Sequence, residues 1–452
     1  MTETSLPSDK MDAAAKHVFW ASYFGWLLDG YDTTIYAFVL VGAQGALTFL
    51  LPNSGIHTSN PAAYGLMLFA IFLIGWGTAF VFGPLADKVG RMRMLGIAIL
   101  LYAIGTFFSG LSYNIIEFGI ARFIAGFGLG AEWFIGGTGV SEVFPEKTRH
   151  IWAGRFHSAW YAGFILAALT TPLLLAYVFL GSDGWRYIFF VGIIPAVILA
   201  YIRIKAKEPE VWKRKKEVQG DKMSLSMSYK VLFSNTYRKT TILMILVMVP
   251  VITGLYGGTL FAPTAITELV GTAVKSGVLA SGTAATWYVV LGGTTISAFT
   301  LMFCLLMPYI VAKVGRKVTL TMFMVFMIVG LLLAFGLAFN SHSLFEFLPL
   351  LILLGIGGAD FSVFSLWVPE IYPTEARAGG FALITALGRY AGAGLVFVIS
   401  ALTVATGSLG TSLAYGSIIF VVGIVLLMFV HEDRNKELDR SISKMALDTE
   451  SQ

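Results

Sequence analysis

Cysteine is almost missing from this 452-residue chain: Cys304 is the only one, so no disulfide can form within it. Charge is scarce as well. Asp, Glu, Lys and Arg make up 13% of the residues, where a soluble domain carries about a quarter. Six histidines and one cysteine offer no His–Cys metal spacing, and there is no nucleotide-binding glycine loop or triad-like cluster. A metal site, a cofactor or a membrane enzyme is therefore not expected. The net charge of +5 is small. Its basic residues gather between apolar runs, which argues against a nucleic-acid surface. The polar, mixed-charge residues 1–16 lack the short apolar core of a cleavable signal and are expected to stay on the protein.

What fills the chain instead is hydrocarbon. Apolar residues make up 57% and the mean hydropathy is +0.78. A spanning helix needs about 20 mostly apolar residues. Twelve runs qualify: 18–41, 64–85, 94–112, 115–137, 152–178, 186–204, 240–263, 282–310, 318–339, 346–368, 379–404 and 412–430. The longest polar break, 205–239, divides six from six. The expected organisation is a tail (1–17), a first half (18–204), a linker (205–239), a second half (240–430) and a tail (431–452). Lys and Arg fall almost entirely on one set of loops: 86–93, 147–149, the linker, 312–317 and the tail. The opposite set, 42–63, 112–114, 179–185, 264–281, 340–345 and 405–411, holds one basic residue, Lys275. The basic side is expected to be cytoplasmic, with both termini inside a cell membrane.

The two halves repeat each other. Glu142-Val-Phe-Pro-Glu-Lys-Thr-Arg149 returns as Glu370-Ile-Tyr-Pro-Thr-Glu-Ala-Arg377, at an offset of 228. Glu132 returns as Asp360 at the same offset. Asp87-Lys-Val-Gly90-Arg91 returns as Ala312-Lys-Val-Gly315-Arg316, without the aspartate, at an offset of 225. A membrane protein built as two similar halves is the pattern of a transporter that rocks one half against the other around a central site. Asp87, Gly90, Arg91, Glu142, Arg149, Glu370 and Arg377 then belong to a gate on the basic face. A charged loop obeying the positive-inside rule is the plainer reading of the same residues.

Ionisable groups inside the spans are few: Asp29, Asp32, Arg122, Glu132, Arg155, His157, Asp360 and Arg389. Charge at mid-membrane costs several kcal/mol, so each is a candidate for function. Asp29 and Asp32 share one helix face. Asp32 and Arg122 lie at similar depth, about 13 and 10 Å of helical rise from the outer ends of their spans. They can meet, either as a proton-coupling pair or as a static tie between spans 1 and 4. Arg389 lies deep in span 11, with no acidic residue within a helical turn. Its fork suits a carboxylate or phosphate; the alternative is an ion pair with Asp360 or Asp29. Tyr31, Trp160, Glu132 and Asp360 are further candidates for the cavity wall, with Tyr161, Trp287, Tyr288, Phe361, Trp367 and Tyr390 as lesser ones. Arg155 can simply reach the interface.

The string Gly83-Pro-Leu-Ala-Asp87-Lys-Val-Gly90-Arg91, the span-4 run Arg122-Phe-Ile-Ala-Gly126-Phe-Gly128-Leu-Gly130 and the paired Glu-x-x-Pro-x-x-x-Arg motifs together resemble the major facilitator superfamily over about residues 18–430. Within it, Asp29-Gly-Tyr-Asp32 and Gly388-Arg389 resemble the sialate, aromatic-acid and monocarboxylate proton symporters. The resemblance implies an all-α fold of twelve transmembrane helices in two pseudo-symmetric halves. It also implies proton-coupled import of an organic acid. Asp32 with Asp29 would carry the proton, Arg122 would control its release and Arg389 would hold the carboxylate. Gly30-Tyr31-Asp32-Thr33 also resembles the sugar porters, so sugar–proton symport is the alternative, with metabolite export a third. The expected partners are a small anionic substrate, protons and the bilayer; the chain is expected to be a monomer, driven by the proton gradient.

Overall fold

The computed structural model describes residues 13–42, 61–144, 146–177, 185–190, 193, 197, 225–256, 261–280, 283–373 and 376–432. Span 1 is Ala13–Gly42. Span 2 runs from Pro61–Thr78 through a tighter turn, Ala79–Val81, into Phe82–Val89. Spans 3, 4 and 5 are Arg91–Leu111, Ile115–Val143 and Glu146–Tyr177. Span 6 is described at 185–190, which is helical. Span 7 is Arg238–Gly254 and span 8 is Thr283–Val314. Span 9 is Arg316–Phe339, its second part a wider π-helix, and span 10 is Leu344–Ile371. Spans 11 and 12 are Arg377–Thr406 and Leu409–Met428. Among the described residues, seven of these helices are long and apolar enough by themselves to cross a membrane.

Hydrocarbon cannot hydrogen-bond to a peptide group, so each span closes its own backbone bonds and punctuation falls at the ends. Asn114 caps span 4, its side-chain oxygen accepting from the Glu117 amide at 2.9 Å, while Glu117 accepts from the Tyr113 amide at 2.9 Å. That reciprocal pair satisfies two otherwise orphaned donors. Ser408 caps span 12 in the same way. On the basic face the repeated loops turn at Gly90 (φ 121°) and Gly315 (φ 89°). Each glycine amide closes the preceding helix, to the carbonyls of Ala86 and Val311 at 3.0 and 2.8 Å. The sequence repeat is thus a repeat of one backbone turn, in a region where a Cβ is strained.

The packing repeats as well. Span 1 packs on 5, 2 on 4 and 3 on 4; in the second half, 7 packs on 11, 8 on 10 and 9 on 10. The halves meet crosswise, span 5 on span 8 and span 2 on span 11. Span 1 and span 5 approach so closely that a Cβ on Gly30 would strike the Trp160 carbonyl, and one on Gly163 the Leu27 carbonyl. In span 4, Gly126 lies against the Phe72 carbonyl and Gly128 against the Tyr102 amide. These glycines serve packing, the usual reason for small residues inside a membrane. The burial pattern is inverted relative to a soluble protein. Phe108, Ile116, Leu337 and Met428 are more than half exposed, while Asp29, Arg122, Glu132, His157 and Asp360 are at most 1% exposed.

One expectation needs correcting. The segment 264–281 reads as a loop, but Ala262–Lys275 is a helix that buries Ala262, Ala265, Ile266 and Leu269. Ile266 lies against Gly292 of span 8. Its apolar positions recur at helical spacing but are diluted by threonines, so a search for continuous hydrophobic runs passes over it. The tails expected at 1–17 and 431–452 fall largely outside the described residues, as does the linker up to 224. Within the linker, Leu225–Leu232 is helical.

Candidate functional site

Two buried polar centres lie inside the bundle. The first joins spans 1, 3 and 4. Arg122 Nη1 stands 3.7 Å from Asp32 Oδ2, with the Arg122 side chain fully buried and the Asp32 side chain 5% exposed. The other Asp32 oxygen accepts a hydrogen bond from Thr106 at 3.0 Å. The Arg122 guanidinium lies over the Phe72 ring at 4.6 Å. The depth matching read from the sequence therefore places the two charges together as expected. Asp29 is fully buried one turn away on the same helix. Tyr31 turns elsewhere, its hydroxyl accepting from Thr170 of span 5 at 3.1 Å.

The second centre is a small cavity between the halves, with about 10 Å³ of free space. That is far below the usual range of about 300–1,000 Å³ for small-molecule sites, so the walls stand closed. Span 1 contributes Trp26, span 2 Trp76, span 4 Trp133, and span 5 His157, Trp160 and Tyr161. The other half contributes Leu255 and Tyr256 just beyond span 7, Phe361 of span 10 and Arg389 of span 11. Four of the chain's ten tryptophans thus face one space. Trp26 packs on Trp160 with ring centres 4.4 Å apart and stacks on Trp133 at 5.8 Å. Trp76 reaches Trp160 at 5.4 Å.

Arg389 is held by this box rather than by an acid. Its guanidinium carbon lies 4.1 Å from the centre of the Trp76 ring and 5.1 Å from that of Trp133. Nη1 donates to the Thr385 carbonyl at 3.2 Å. Among the described residues no carboxylate lies within ion-pair distance, so the alternative pairing with Asp360 or Asp29 does not form. The wall atoms with no partner among the described residues are Trp26 Nε1, Trp76 Nε1, Trp160 Nε1, Arg389 Nε and His157 Nε2. Three indoles and a guanidinium can only donate. A buried donor left unsatisfied costs about 1–3 kcal/mol. The chemistry that would satisfy this set is an acceptor-rich, negatively charged ligand with a flat apolar body.

The structure separates the remaining candidates. Trp160 and Arg389 line the cavity; Tyr31, Glu132 and Asp360 do not. Glu132 is buried in span 4. Asp360 opens the second segment of span 10, where a helix N-terminus favours an acid. Of the lesser aromatic candidates, Tyr161 and Phe361 line the wall. Trp287 is 55% exposed, Tyr390 bonds to Thr78 across the halves at 2.9 Å, and Trp367 faces a separate cavity on the basic face. Arg155 is exposed against Trp152. Trp26, Trp76, Trp133 and Tyr256 are wall residues that the sequence reading passes over. A signal existed: Trp76 sits between two glycines in mid-span, away from the interfacial belt where tryptophans gather.

On the basic face, Arg316 Nε bonds to Glu370 at 2.6 Å and the Arg316 amide bonds to Glu432 at 2.6 Å. Arg149 reaches the Phe144 carbonyl at 3.4 Å and Arg377 the Pro369 carbonyl at 2.8 Å. Arg91 is buried beside Gly90. The side chains of Asp87 and Glu142 lie outside the described residues.

Comparison with known proteins agrees with this architecture. The profile described as Major Facilitator Superfamily matches residues 33–305. A probable 4-methylmuconolactone transporter of Cupriavidus pinatubonensis is 26% identical over 91% of this chain and 90% of its own length. The cis,cis-muconate transport protein of Acinetobacter baylyi is 25% identical over 92% and 94%. The niacin transporter NiaP of the same organism is 24% identical over 93% and 95%. Among solved structures, a partially occluded inward-open form of the xylose transporter XylE from E. coli superposes with a TM-score of 0.69. It is 19% identical and covers 94% of this chain and 100% of the other. At that identity the likeness is one of fold.

Proposed function

Because the chain belongs to the Major Facilitator Superfamily, a family of membrane transporters, we propose that it is a proton-coupled symporter that takes up a small, flat organic acid by alternating access. The observation that carries this reading is the donor-lined tryptophan box around Arg389. A guanidinium sandwiched by two indoles is rigid and desolvated, and presents a planar fork to a carboxylate. The indole faces suit a conjugated or aromatic body. The relatives named for muconate, muconolactone and niacin support the same class.

Transport in this reading uses the crosswise contacts of spans 5 with 8 and 2 with 11 as sliding surfaces. Asp32, with Asp29 beside it, takes the proton, and protonation weakens the hold on Arg122. An aromatic line leads from that pair to the cavity: Arg122 on Phe72, Phe72 against Trp76 at 5.7 Å, and Trp76 under Arg389. The basic face is assigned to the cytoplasm, both termini included, in the cell membrane. Gly90, Arg91, Arg149, Glu370 and Arg377, with Asp87 and Glu142, form the inner gate. A sugar is the weaker reading, since sugar hydroxyls donate as well as accept and the described walls carry no carboxylate or amide.

Uptake by the purified protein in proteoliposomes tests this. Benzoate, nicotinate, cis,cis-muconate, sialate and xylose are compared with and without an inward proton gradient. Concentrative uptake of a flat acid, collapsed by a protonophore, is the expected result. Uptake of xylose alone would overturn the substrate class and leave Arg389 a structural residue.

A further inference from the structure

His157 is buried in the wall of the cavity, 1% exposed, and a hydrogen-bonded chain fixes its ring. Trp133 Nε1 donates to Ser365 Oγ at 2.9 Å. An indole N–H can only donate, so Ser365 is the acceptor there. Ser365 Oγ then lies 3.2 Å from His157 Nδ1 and 3.4 Å from the Phe361 carbonyl. A Ser365 hydroxyl donating to Nδ1, the shorter of its two contacts, keeps the imidazole proton on Nε2. Nε2 has no partner among the described residues. The ring is also stacked on Phe361, nearly parallel at 5°, with centres 6.1 Å apart. Its orientation is therefore set twice over. Ser365 comes from the second half of the chain and His157 from the first.

Both His157 and Arg389 stand against one indole. The Trp133 ring centre is 5.7 Å from the His157 ring and 5.1 Å from the Arg389 guanidinium carbon. A ligand lying across that indole meets a charged fork from one side and a neutral N–H donor from another. We propose that His157 is a second polar ligand of the cavity. Its Nε2–H reads a second acceptor atom on the substrate, and Ser365 is the positioning residue that fixes the tautomer. The substrate class narrows from flat acids to bifunctional ones: a carboxylate on Arg389 and a ring hydroxyl, carbonyl or second carboxylate on His157. This rests on the acid-transport reading above.

The test uses counterflow of labelled benzoate into proteoliposomes, with unlabelled benzoate, 3-hydroxybenzoate, 4-hydroxybenzoate and cis,cis-muconate as competitors. Benzoate carries the carboxylate alone. The native protein is expected to prefer at least one bifunctional acid over benzoate by on the order of tenfold, the yield of one net hydrogen bond in a closed site. His157→Asn keeps an amide where Nδ1 meets Ser365 and loses the cavity donor. It is expected to bring the preference to about one. His157→Gln extends its amide to the Nε2 position and gives up Ser365; it is expected to keep most of the preference. Ser365→Ala frees the ring and is expected to reduce the preference. A native preference of one, or a preference intact in His157→Asn, overturns the proposal. Equal loss of all competitors in both His157 variants makes the residue a tie between the halves and overturns it too. Failure of every acid, benzoate included, in the native protein overturns the acid reading itself. Size-exclusion profiles of the variants separate misfolding from these outcomes, and Ser365→Ala, the smallest change, then decides.

Discussion

Replacing Arg389 by glutamine removes the one permanent charge in the described walls of the cavity. The residue is 3% exposed. Its guanidinium is fixed by the Thr385 carbonyl and by the faces of Trp76 and Trp133. Little ordering is then left to be done when a carboxylate arrives. Charge-assisted hydrogen bonds contribute about 1.5–3 kcal/mol each. Glutamine retains one neutral donor, so a net loss of about 3 kcal/mol is expected, on the order of a hundredfold in Kd. Arg389→Lys keeps the charge but not the planar fork, and is expected to lose about tenfold. Among the described residues no carboxylate pairs with Arg389, so neither substitution strands a described buried acid. The variants should fold, with unchanged size-exclusion profiles. Titration calorimetry with benzoate measures the loss directly. Quenching of the cavity tryptophans offers a second readout. Binding by Arg389→Gln within about twofold of native would refute the reasoning, because it would mean the carboxylate is held elsewhere.

Further predictions follow from the other centre and the turns. Asp32→Asn is expected to abolish accumulation driven by an inward proton gradient while leaving exchange at equal pH; accumulation with its full pH dependence would remove Asp32 from coupling. Gly90→Ala and Gly315→Ala each force a Cβ into a positive-φ turn, a strain of about 1–3 kcal/mol. A lower Tm is expected for each, and an unchanged Tm would contradict the turn.

The fold was legible because it rests on properties that sequence carries one run at a time. Apolar stretches long enough to span a bilayer, basic loops alternating with neutral ones, and the two copies of the Gly90 and Gly315 turn each have a local cause. The Ala262–Lys275 helix was not legible, because it buries only one face and so never forms a continuous run. Similar depth allowed Asp32 and Arg122 to meet, and the packing of spans 1 and 4 brings them together.

The cavity is a different matter. Arg389 stood out because a deep arginine is rare, but what surrounds it depends on how six helices rotate and tilt. Trp26 and Trp133 look in sequence like any aromatic in a lipid-facing span; packing alone turns them inward. His157 stands in sequence close to the start of span 5. Span 5 begins at Glu146, and its close contact with span 1 at Gly30 and Gly163 carries His157 to the middle of the bundle. The sequence determined which residues could be buried at a cost in hydrocarbon. The tertiary structure decided which of them meet, because helix rotation is set by side-chain packing between distant segments and leaves no mark within any one of them.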